Sequence, residues 1–152
     1  KYQKEIKAAI VGGGYLEEEL KELVLELGIE KEVVFLGIRR DIEKLMKSTT
    51  LFVLPSRWEG LPLTLLEAMS SGAGIIATKV GGIPEVIEHR KEGILILPDD
   101  SETLAGAIDE LLKDRELREK LSINTYKKVK EKYSIELYIK NVLEFYKSLI
   151  ID

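Results

Sequence analysis

The chain has 152 residues, of which 45% are hydrophobic and 33% are charged, and its formal net charge is −4. This size and balance predict one globular domain spanning residues 1–152 and exclude a disordered chain. The acidic balance argues against a nucleic-acid partner. The absence of cysteine excludes a disulfide framework and a thiolate metal site, and the single histidine argues against histidine-based metal chemistry.

No apolar run reaches the length of a membrane span, and the N-terminal KYQKEIK lacks the apolar core of a signal peptide. We therefore expect a cytoplasmic protein without a transmembrane segment. The abundance of lysine and glutamate, with few side-chain amides, is typical of thermophile proteins.

Apolar strand patterns alternate with helical patterns along the chain. The predicted strands cover residues 6–11, 33–36, 51–54, 74–77 and 93–97. The predicted helices cover residues 16–27, 41–47, 62–71, 84–88, 102–113, 115–132 and 135–150. This alternation indicates an α/β fold: a Rossmann-like parallel sheet of about five strands, with helices on both faces and further helices at the C-terminus. Asp100, Asp114 and Ser134 stand where helix caps belong.

Ligands of such sheets bind beyond the carboxyl ends of the strands. Gly12, Gly13 and Gly14 follow the first strand and allow a tight turn with close backbone approach. Their spacing is not the dinucleotide fingerprint, and a plain strand-to-helix turn is the alternative. The segment GIRR, residues 37–40, follows the second strand and is either a ligand-contacting loop or a solvated basic turn before a helix capped near Asp41.

The stretch PSRWEGLPLTLLEAMSSG, residues 55–72, follows the third strand. It passes through a glycine-containing turn, and Pro62 stands at or near the first helical position, where proline is favoured. Strand, turn and helix start in this order aim free backbone N–H groups at an anion, typically a phosphate. Glu59 and Glu67 bracket the turn in the pattern E-x7-E.

The helix after this turn is apolar, so we expect it to be packed on most sides, except along a stripe of Thr64, Glu67 and Ser71. A carboxylate on such a helix needs hydrogen-bond donors, and the cis-diol of a ribose would supply two. The alternative is that the stripe faces water.

After the fourth strand, Gly81 and Gly82 again place glycine backbone ahead of a helix that Pro84 begins. Glu85 lies in the first turn of that helix, where it is either an electrostatic cap or a ligand contact. His89 is interpreted as a solvated turn residue.

Two C-terminal stripes at helical spacing are interpreted as packing surfaces: Leu117, Leu121, Thr125 and Val129, and then Tyr138, Val142, Phe145 and Leu149.

The segment EGLPLTLLEAMSSG, with PS before it and VGGIPEVI after it, resembles the donor-binding region of family 4 retaining glycosyltransferases (glycosyl transferases group 1). These enzymes have the GT-B fold and use nucleotide-activated sugars. The likeness extends from AAIVGGG to the final aromatic helix. It implies that the chain is the C-terminal, donor-binding domain of such an enzyme.

The resemblance also implies a role for each residue around the turn. Glu59, the candidate catalytic residue, would accept hydrogen bonds from hydroxyls of the donor sugar. Gly60 and Leu61 would bring backbone N–H groups near the sugar and the phosphates. Pro62 stands where many relatives have glycine, so one N–H group is absent.

Further along the helix, the resemblance places Thr64 and Leu65 at the diphosphate and Glu67 at the ribose hydroxyls. The loop with Ile38 and Arg39 would lie beside the nucleotide base. The other donor-site residues that it implies are Gly12, Gly13, Gly14, Gly81, Gly82 and Glu85.

Family members carry an earlier strand and loop of the form G-R-L…K-G, which supplies an Arg and a Lys to the diphosphate, and nothing here matches it. The acceptor-binding N-terminal half has no counterpart either. We therefore expect a fragment that lacks the first strand–helix unit of the domain, with reduced donor affinity and little turnover alone.

The leading hypothesis is transfer of a hexose from a nucleoside-diphosphate sugar to a hydroxyl acceptor with retention. No DxD-like carboxylate cluster occurs, so no metal or other cofactor is expected. The alternatives are a nucleotide-sugar epimerase of the same architecture and a non-catalytic interaction domain. An epimerase needs titratable groups around the sugar, and the chain offers few beyond Glu59 and Glu85.

Overall fold

A computed structural model describes residues 6–150 of the chain. Part of the signal-peptide prediction concerns residues 1–5, which lie outside this range. The chain divides into two units, residues 1–42 and residues 43–152, which are described separately. Within residues 6–150, no helix has the length and apolar character needed to cross a bilayer.

The first unit is a parallel strand pair with one connecting helix. Strand β1 (Ala8–Val11) leads into α1 (Glu17–Glu26), and β2 (Val33–Gly37) follows. Ala8 pairs with Val33, and the register shifts between Ile10 and Val11. Helix α2 (Ile42–Ser48) then begins at the last residue of this unit.

The second unit is a three-stranded parallel sheet with helices. Its elements are β3 (Leu51–Leu54), α3 (Leu63–Ser71), β4 (Gly74–Thr78), α4 (Ile83–Val86), β5 (Ile94–Ile96), α5 (Ser101–Lys113), α6 (Arg115–Lys132) and α7 (Ile135–Ile150). The strand order is β3-β4-β5, so β4 is central and is buried along its whole length. Parallel strands are covered on both faces, which is why β4 is a continuous apolar run.

One core cluster of the second unit lies between this sheet and helices α5 and α6. It is formed by Ile76, Ile94, Ile96, Ala107, Leu111 and Leu121. Burying each large aliphatic side chain of this set contributes about 1.5–3 kcal/mol relative to leaving it exposed. This packing fixes the strands of the sheet, and the strand ends fix the start of the loops that follow them.

The predicted helix caps are confirmed. The Thr103 N–H donates to Asp100 Oδ1 at 2.9 Å, and the Leu117 N–H donates to Asp114 Oδ1 at 2.8 Å. These bonds satisfy amides that the first turn of a helix otherwise leaves without a partner. The Leu137 N–H likewise donates to Ser134 Oγ at 3.2 Å.

The predicted α/β class, with parallel strands and flanking helices, is confirmed, and every predicted element is present within two residues of its expected bounds. Hydrogen bonds join the five strands as a pair and a triplet. Helix α3 is packed on one side only, because it buries Leu65, Ala68 and Met69 whereas Leu63 is 72% exposed. The expectation of packing on most sides was wrong.

The two C-terminal stripes have different outcomes. The α6 stripe packs as predicted, with Leu121, Thr125 and Val129 buried. The α7 stripe does not: Tyr138 and Phe145 are more than 60% exposed, because no element among residues 43–150 covers this face. Helical spacing is the same whether or not a partner is present, so the sequence pattern could not separate these cases.

Candidate functional site

The loop after β3 is tied to the neighbouring strand and to itself. Thr78, the last residue of β4, is buried, and its hydroxyl donates to the Ser56 carbonyl oxygen at 2.6 Å. The Ser56 hydroxyl in turn donates to Glu59 Oε1 at 2.7 Å. Glu59 is half-buried. The loop therefore holds the Glu59 carboxylate at a defined place beside the carboxyl ends of β3 and β4.

The same loop lies against the turn that follows β4. Gly81 has φ +52°, and a Cβ added to it would overlap the Glu59 carbonyl oxygen. The Gly82 N–H donates to the Gly60 carbonyl oxygen at 2.8 Å. The structure thus brings together Glu59 and Gly60 with Gly81 and Gly82, in a contact that depends on the absence of a side chain at positions 81 and 82.

The start of α3 presents amides without a protein acceptor. Pro62 precedes the helix in an extended conformation, with φ −71° and ψ 119°. Within residues 6–150, neither the Leu63 N–H nor the Thr64 N–H donates to any protein atom. The same holds for the N–H groups of Gly60 and Leu61. Free amides at the positive end of a helix form an environment suited to an anion.

Leu65, which is predicted to lie at the diphosphate, has an amide that is bonded within the protein. Its side chain is completely buried, and its N–H donates to the Pro62 carbonyl oxygen at 3.1 Å. Leu63, whose amide is free, carries no feature in the sequence that marks it as a site residue. An i→i−3 bond at the start of a helix decides which amides are free, and residue type carries no signal for it.

The polar stripe of α3 is mostly at the surface. Thr64 and Glu67 are exposed, and the Ser71 hydroxyl donates to the Ala68 carbonyl oxygen at 2.7 Å. The Glu67 carboxylate makes no hydrogen bond with residues 6–150 and is not bonded to the Glu59 loop. Both interpretations of the stripe, as a water-facing surface and as a ribose contact, are compatible with this exposure.

Glu85 lies in the four-residue helix α4 and is exposed. Its N–H donates to the Gly82 carbonyl oxygen at 3.1 Å, and its side chain makes no hydrogen bond within the described part of the chain. His89 is exposed, as predicted, and its Nδ1 accepts from the Leu95 N–H at 3.1 Å.

A cleft of about 350 Å³ opens at the carboxyl ends of β3, β4 and β5. Its polar lining includes Arg57, Thr78, Asp99, Asp100 and Ser101. Arg57 Nε donates to Asp99 Oδ1 at 2.7 Å, which ties the Glu59 loop to the segment after β5. Hydrogen bonds from the Thr103 hydroxyl and from the Thr103 N–H lower the pKa of the Asp100 carboxyl group.

In the first unit, the predicted residues also meet locally. Gly12 has φ +121°, and its N–H donates to the Gly37 carbonyl oxygen at 2.8 Å. A Cβ on Gly13 would lie 3.7 Å from Ile38 Cγ1, so the glycine turn and the loop after β2 are neighbours. The Gly14 carbonyl accepts from the Glu17 N–H.

Arg39 is paired within its own loop. Its Nε and Nη2 donate to the two carboxylate oxygens of Asp41 at 2.8 and 2.7 Å. This bidentate pair raises the pKa of the Arg39 guanidinium and lowers the pKa of the Asp41 carboxyl group. Ile38, the neighbouring residue of this loop, is 87% exposed.

The part of the chain that the structure describes contains no group of three or more acidic, histidine or cysteine side chains arranged to hold a metal ion.

The family described as glycosyl transferases group 1 matches residues 1–128 of the chain. An uncharacterized glycosyltransferase of Methanocaldococcus jannaschii is 36% identical over 93% of the chain. The fold matches crystal structures of HepE from Anabaena, in complex with UDP with a TM-score of 0.90 and with UDP-glucose with a TM-score of 0.89. Both structures are 29% identical to the chain, covering 94% and 93% of it respectively.

The chain spans 37% of the length of the Methanocaldococcus relative and 41% of the length of HepE in either crystal structure.

Proposed function

Because the chain belongs to the glycosyl transferases group 1 family, we propose that it is the donor-binding domain of a glycosyltransferase. The whole enzyme would transfer a hexose from a nucleoside-diphosphate sugar to a hydroxyl acceptor with retention. The observation that carries this proposal is the set of free amides at the start of α3, next to a carboxylate held by Ser56. The crystal structures of HepE with UDP and with UDP-glucose support nucleotide sugars as the class of ligand.

The diphosphate of the donor would lie at the start of α3, where the amides of Leu63 and Thr64 point outward from the positive end of the helix. These donors are fixed by the helix before the ligand arrives, so they need little rearrangement as negative charge develops on the leaving diphosphate. Gly60 and Leu61 would add amides from the preceding turn. In this proposal no metal ion or other cofactor takes part.

Glu59 would accept hydrogen bonds from hydroxyl groups of the donor sugar, and Glu67 would accept from the ribose hydroxyls. Both carboxylates are within seven residues of the free amides in sequence, one before the helix and one on it. An acceptor-binding N-terminal domain of the same protein would supply the second substrate. We place the enzyme in the cytoplasm, where nucleotide sugars are available to it.

The test is saturation-transfer NMR with the 152-residue chain. The ligands are UDP, GDP and ADP, and the nucleotide sugars UDP-glucose, GDP-mannose and ADP-glucose. We expect saturation of the ribose and hexose protons of at least one nucleotide sugar. Glu67→Ala should weaken the ribose signal and Glu59→Gln the hexose signal. Glu131→Ala, which changes an exposed carboxylate on α6, is the matched control and should change neither.

If no nucleotide or nucleotide sugar gives a signal at millimolar concentration, the donor-binding proposal is wrong. A non-catalytic interaction domain is then the better candidate. The observation that favours this second candidate is the exposed apolar face of α7, where Tyr138, Phe145 and Leu149 are each more than 60% exposed.

A further inference from the structure

Glu59 is the only member of the Glu59–Gly60–Leu61 turn whose side chain can contact a donor sugar through a charged group. Its carboxylate has two oxygens, and they differ in the structure. Oε1 accepts the hydrogen bond from the Ser56 hydroxyl at 2.7 Å. No residue in the range 6–150 donates a hydrogen bond to Oε2.

Ser56 is itself held from the strand beside it. Its carbonyl oxygen accepts from the Thr78 hydroxyl at 2.6 Å, and Thr78 is 2% exposed. The register of β3 and β4 pairs Leu54 with Ala77, so Thr78 stands next to the point where the loop leaves β3. A buried hydroxyl bonded to a backbone carbonyl is costly to break, because the broken group has no water to replace its partner.

The backbone of Glu59 is fixed from the other side. Its carbonyl oxygen lies against Gly81, and the next carbonyl, that of Gly60, accepts from the Gly82 N–H at 2.8 Å. The backbone of Glu59 therefore has little freedom. What remains to be fixed is the rotation of its side chain, and within residues 6–150 only the Ser56 hydroxyl bonds to its carboxylate.

We infer that Ser56 is a positioning residue for sugar recognition: it occupies Oε1 of Glu59 and so presents Oε2 to a hydroxyl of the donor sugar. Ser56 does not contact the nucleotide in this arrangement. The inference rests on the proposed donor-binding function and adds to it how the sugar, as distinct from the nucleoside diphosphate, is selected.

The inference predicts that a change at Ser56 affects the affinity for the nucleotide sugar but not the affinity for the nucleoside diphosphate. Without the Ser56 hydroxyl, the Glu59 side chain is free to rotate and its carboxylate becomes hydrated. Its contacts to the hexose are then weaker. Contacts of the nucleoside diphosphate with the α3 amides do not pass through Glu59 and stay as they are. A general loss of structure would weaken both ligands together, so the ratio of the two affinities is a readout that a merely structural role of Ser56 does not change.

The experiment compares the wild-type chain with Ser56→Ala, Ser56→Thr and Ser70→Ala. Ser70 is the matched control, an exposed serine near the end of α3 whose hydroxyl donates to the Leu66 carbonyl oxygen. Dissociation constants are measured from the indole N–H resonance of Trp58, the single tryptophan of the chain, with three pairs of probes: UDP and UDP-glucose, GDP and GDP-mannose, ADP and ADP-glucose. Thermal unfolding of each variant verifies folding.

For the pair that the wild type binds, we expect Ser56→Ala to raise the dissociation constant of the nucleotide sugar roughly five- to tenfold, the effect of losing a charge-assisted hydrogen bond. The constant for the nucleoside diphosphate should change less than about twofold. Ser56→Thr, which keeps a hydroxyl, should restore most of the sugar affinity, and Ser70→Ala should match the wild type.

Two failures are distinguishable. If the folded Ser56→Ala chain binds both members of the pair as the wild type does, or loses both equally, the positioning role is wrong while donor binding stands. If the wild-type chain binds none of the six probes, the proposed function is wrong and the role of Ser56 falls with it.

Discussion

The backbone of Glu59 packs directly against Gly81, and this contact decides which residues position 81 tolerates. A side chain there would overlap the Glu59 carbonyl oxygen, and φ is +52°, a conformation that residues with a Cβ rarely adopt. The turn after β4 and the Glu59 loop are thus one structural feature, although more than twenty residues separate them in sequence.

We predict that Gly81→Ala lowers the free energy of unfolding by about 2 kcal/mol or more, the sum of backbone strain and displacement of the Glu59 loop. Gly106→Ala is the matched control: Gly106 lies in α5, and a Cβ there meets nothing within 4 Å. It should stabilise the chain by about 0.5–1 kcal/mol, because alanine is the better helix former. Urea unfolding measures both, and equal effects of the two substitutions would contradict the packing described.

The Asp100 carboxylate provides a pH-dependent prediction. Its pKa is lowered in the folded chain, mainly by the Thr103 hydroxyl and then by the Thr103 N–H. A carboxyl group with a lowered folded-state pKa contributes stability that is fully present above its unfolded pKa of about 3.9. That contribution is lost as the pH falls through the lower folded-state value.

We therefore expect the stability difference between the wild type and Asp100→Asn to narrow as the pH is lowered from about 5 to 2. In Thr103→Ala, the pKa of Asp100 should move back up toward its ordinary value, because the largest cause of the shift is gone. Carboxyl-carbon NMR titration measures this pKa. An Asp100 pKa that is the same in both chains would show that the hydrogen bond from the Thr103 hydroxyl to Asp100 is not formed in solution.

At the level of elements, the caps and the apolar periods allowed the helices to be predicted well. The bounds of α6 and α7 agree with the prediction because Asp114 and Ser134 are recognisable N-cap residues, and each accepts a hydrogen bond from the first turn of its helix. Cap residues act on amides three residues away, so they are visible in a local sequence window. The contact of Gly81 with Glu59 is long-range and leaves no such local trace.

Helices α6 and α7 also show what a periodic pattern omits. Leu121 on α6 is completely buried in the core cluster, whereas Phe145 on α7 is 61% exposed. Both stand in regular apolar stripes of the sequence. The difference arises because the sheet and α5 cover α6, and periodicity does not encode whether a partner is there.

We predict that Leu121→Ala lowers the free energy of unfolding by about 2–5 kcal/mol, since it leaves a cavity in a close-packed core. Phe145→Ala removes a larger side chain, yet it should change the stability by only about 0.5 kcal/mol because no core contact is lost. Chemical denaturation measures the free energy of unfolding of both variants. A loss of several kcal/mol for Phe145→Ala would mean that this face of α7 packs against another part of the protein in solution.

For the molecule as a whole, the sequence motif predicted the family correctly, and the match over residues 1–128 confirms it. That prediction rested on the resemblance of the segment around the E-x7-E pair, with its flanking prolines, glycines and leucines, to the donor-binding region of the family. The individual site residues are a finer matter. Which amides of α3 are free depends on hydrogen bonds that form only in the folded chain, as Leu63 and Leu65 illustrate.

The chain spans 37% of the length of one glycosyltransferase relative. In the proposal, the chain contributes oriented amides and a held carboxylate, and an acceptor-binding domain contributes the second substrate. The proposal therefore predicts that affinity for a nucleotide sugar is detectable in the chain alone, whereas transfer to an acceptor requires an acceptor-binding domain as well.

The most direct measurement of the central claim is an amide shift map of the 15N-labelled chain with UDP-glucose, GDP-mannose and ADP-glucose. The account predicts saturable shifts, with at least one of them, at the amides of Gly60, Leu61, Leu63 and Thr64. No saturable shift with any of the three, or shifts confined to a surface remote from residues 59–64 such as α7, would contradict it.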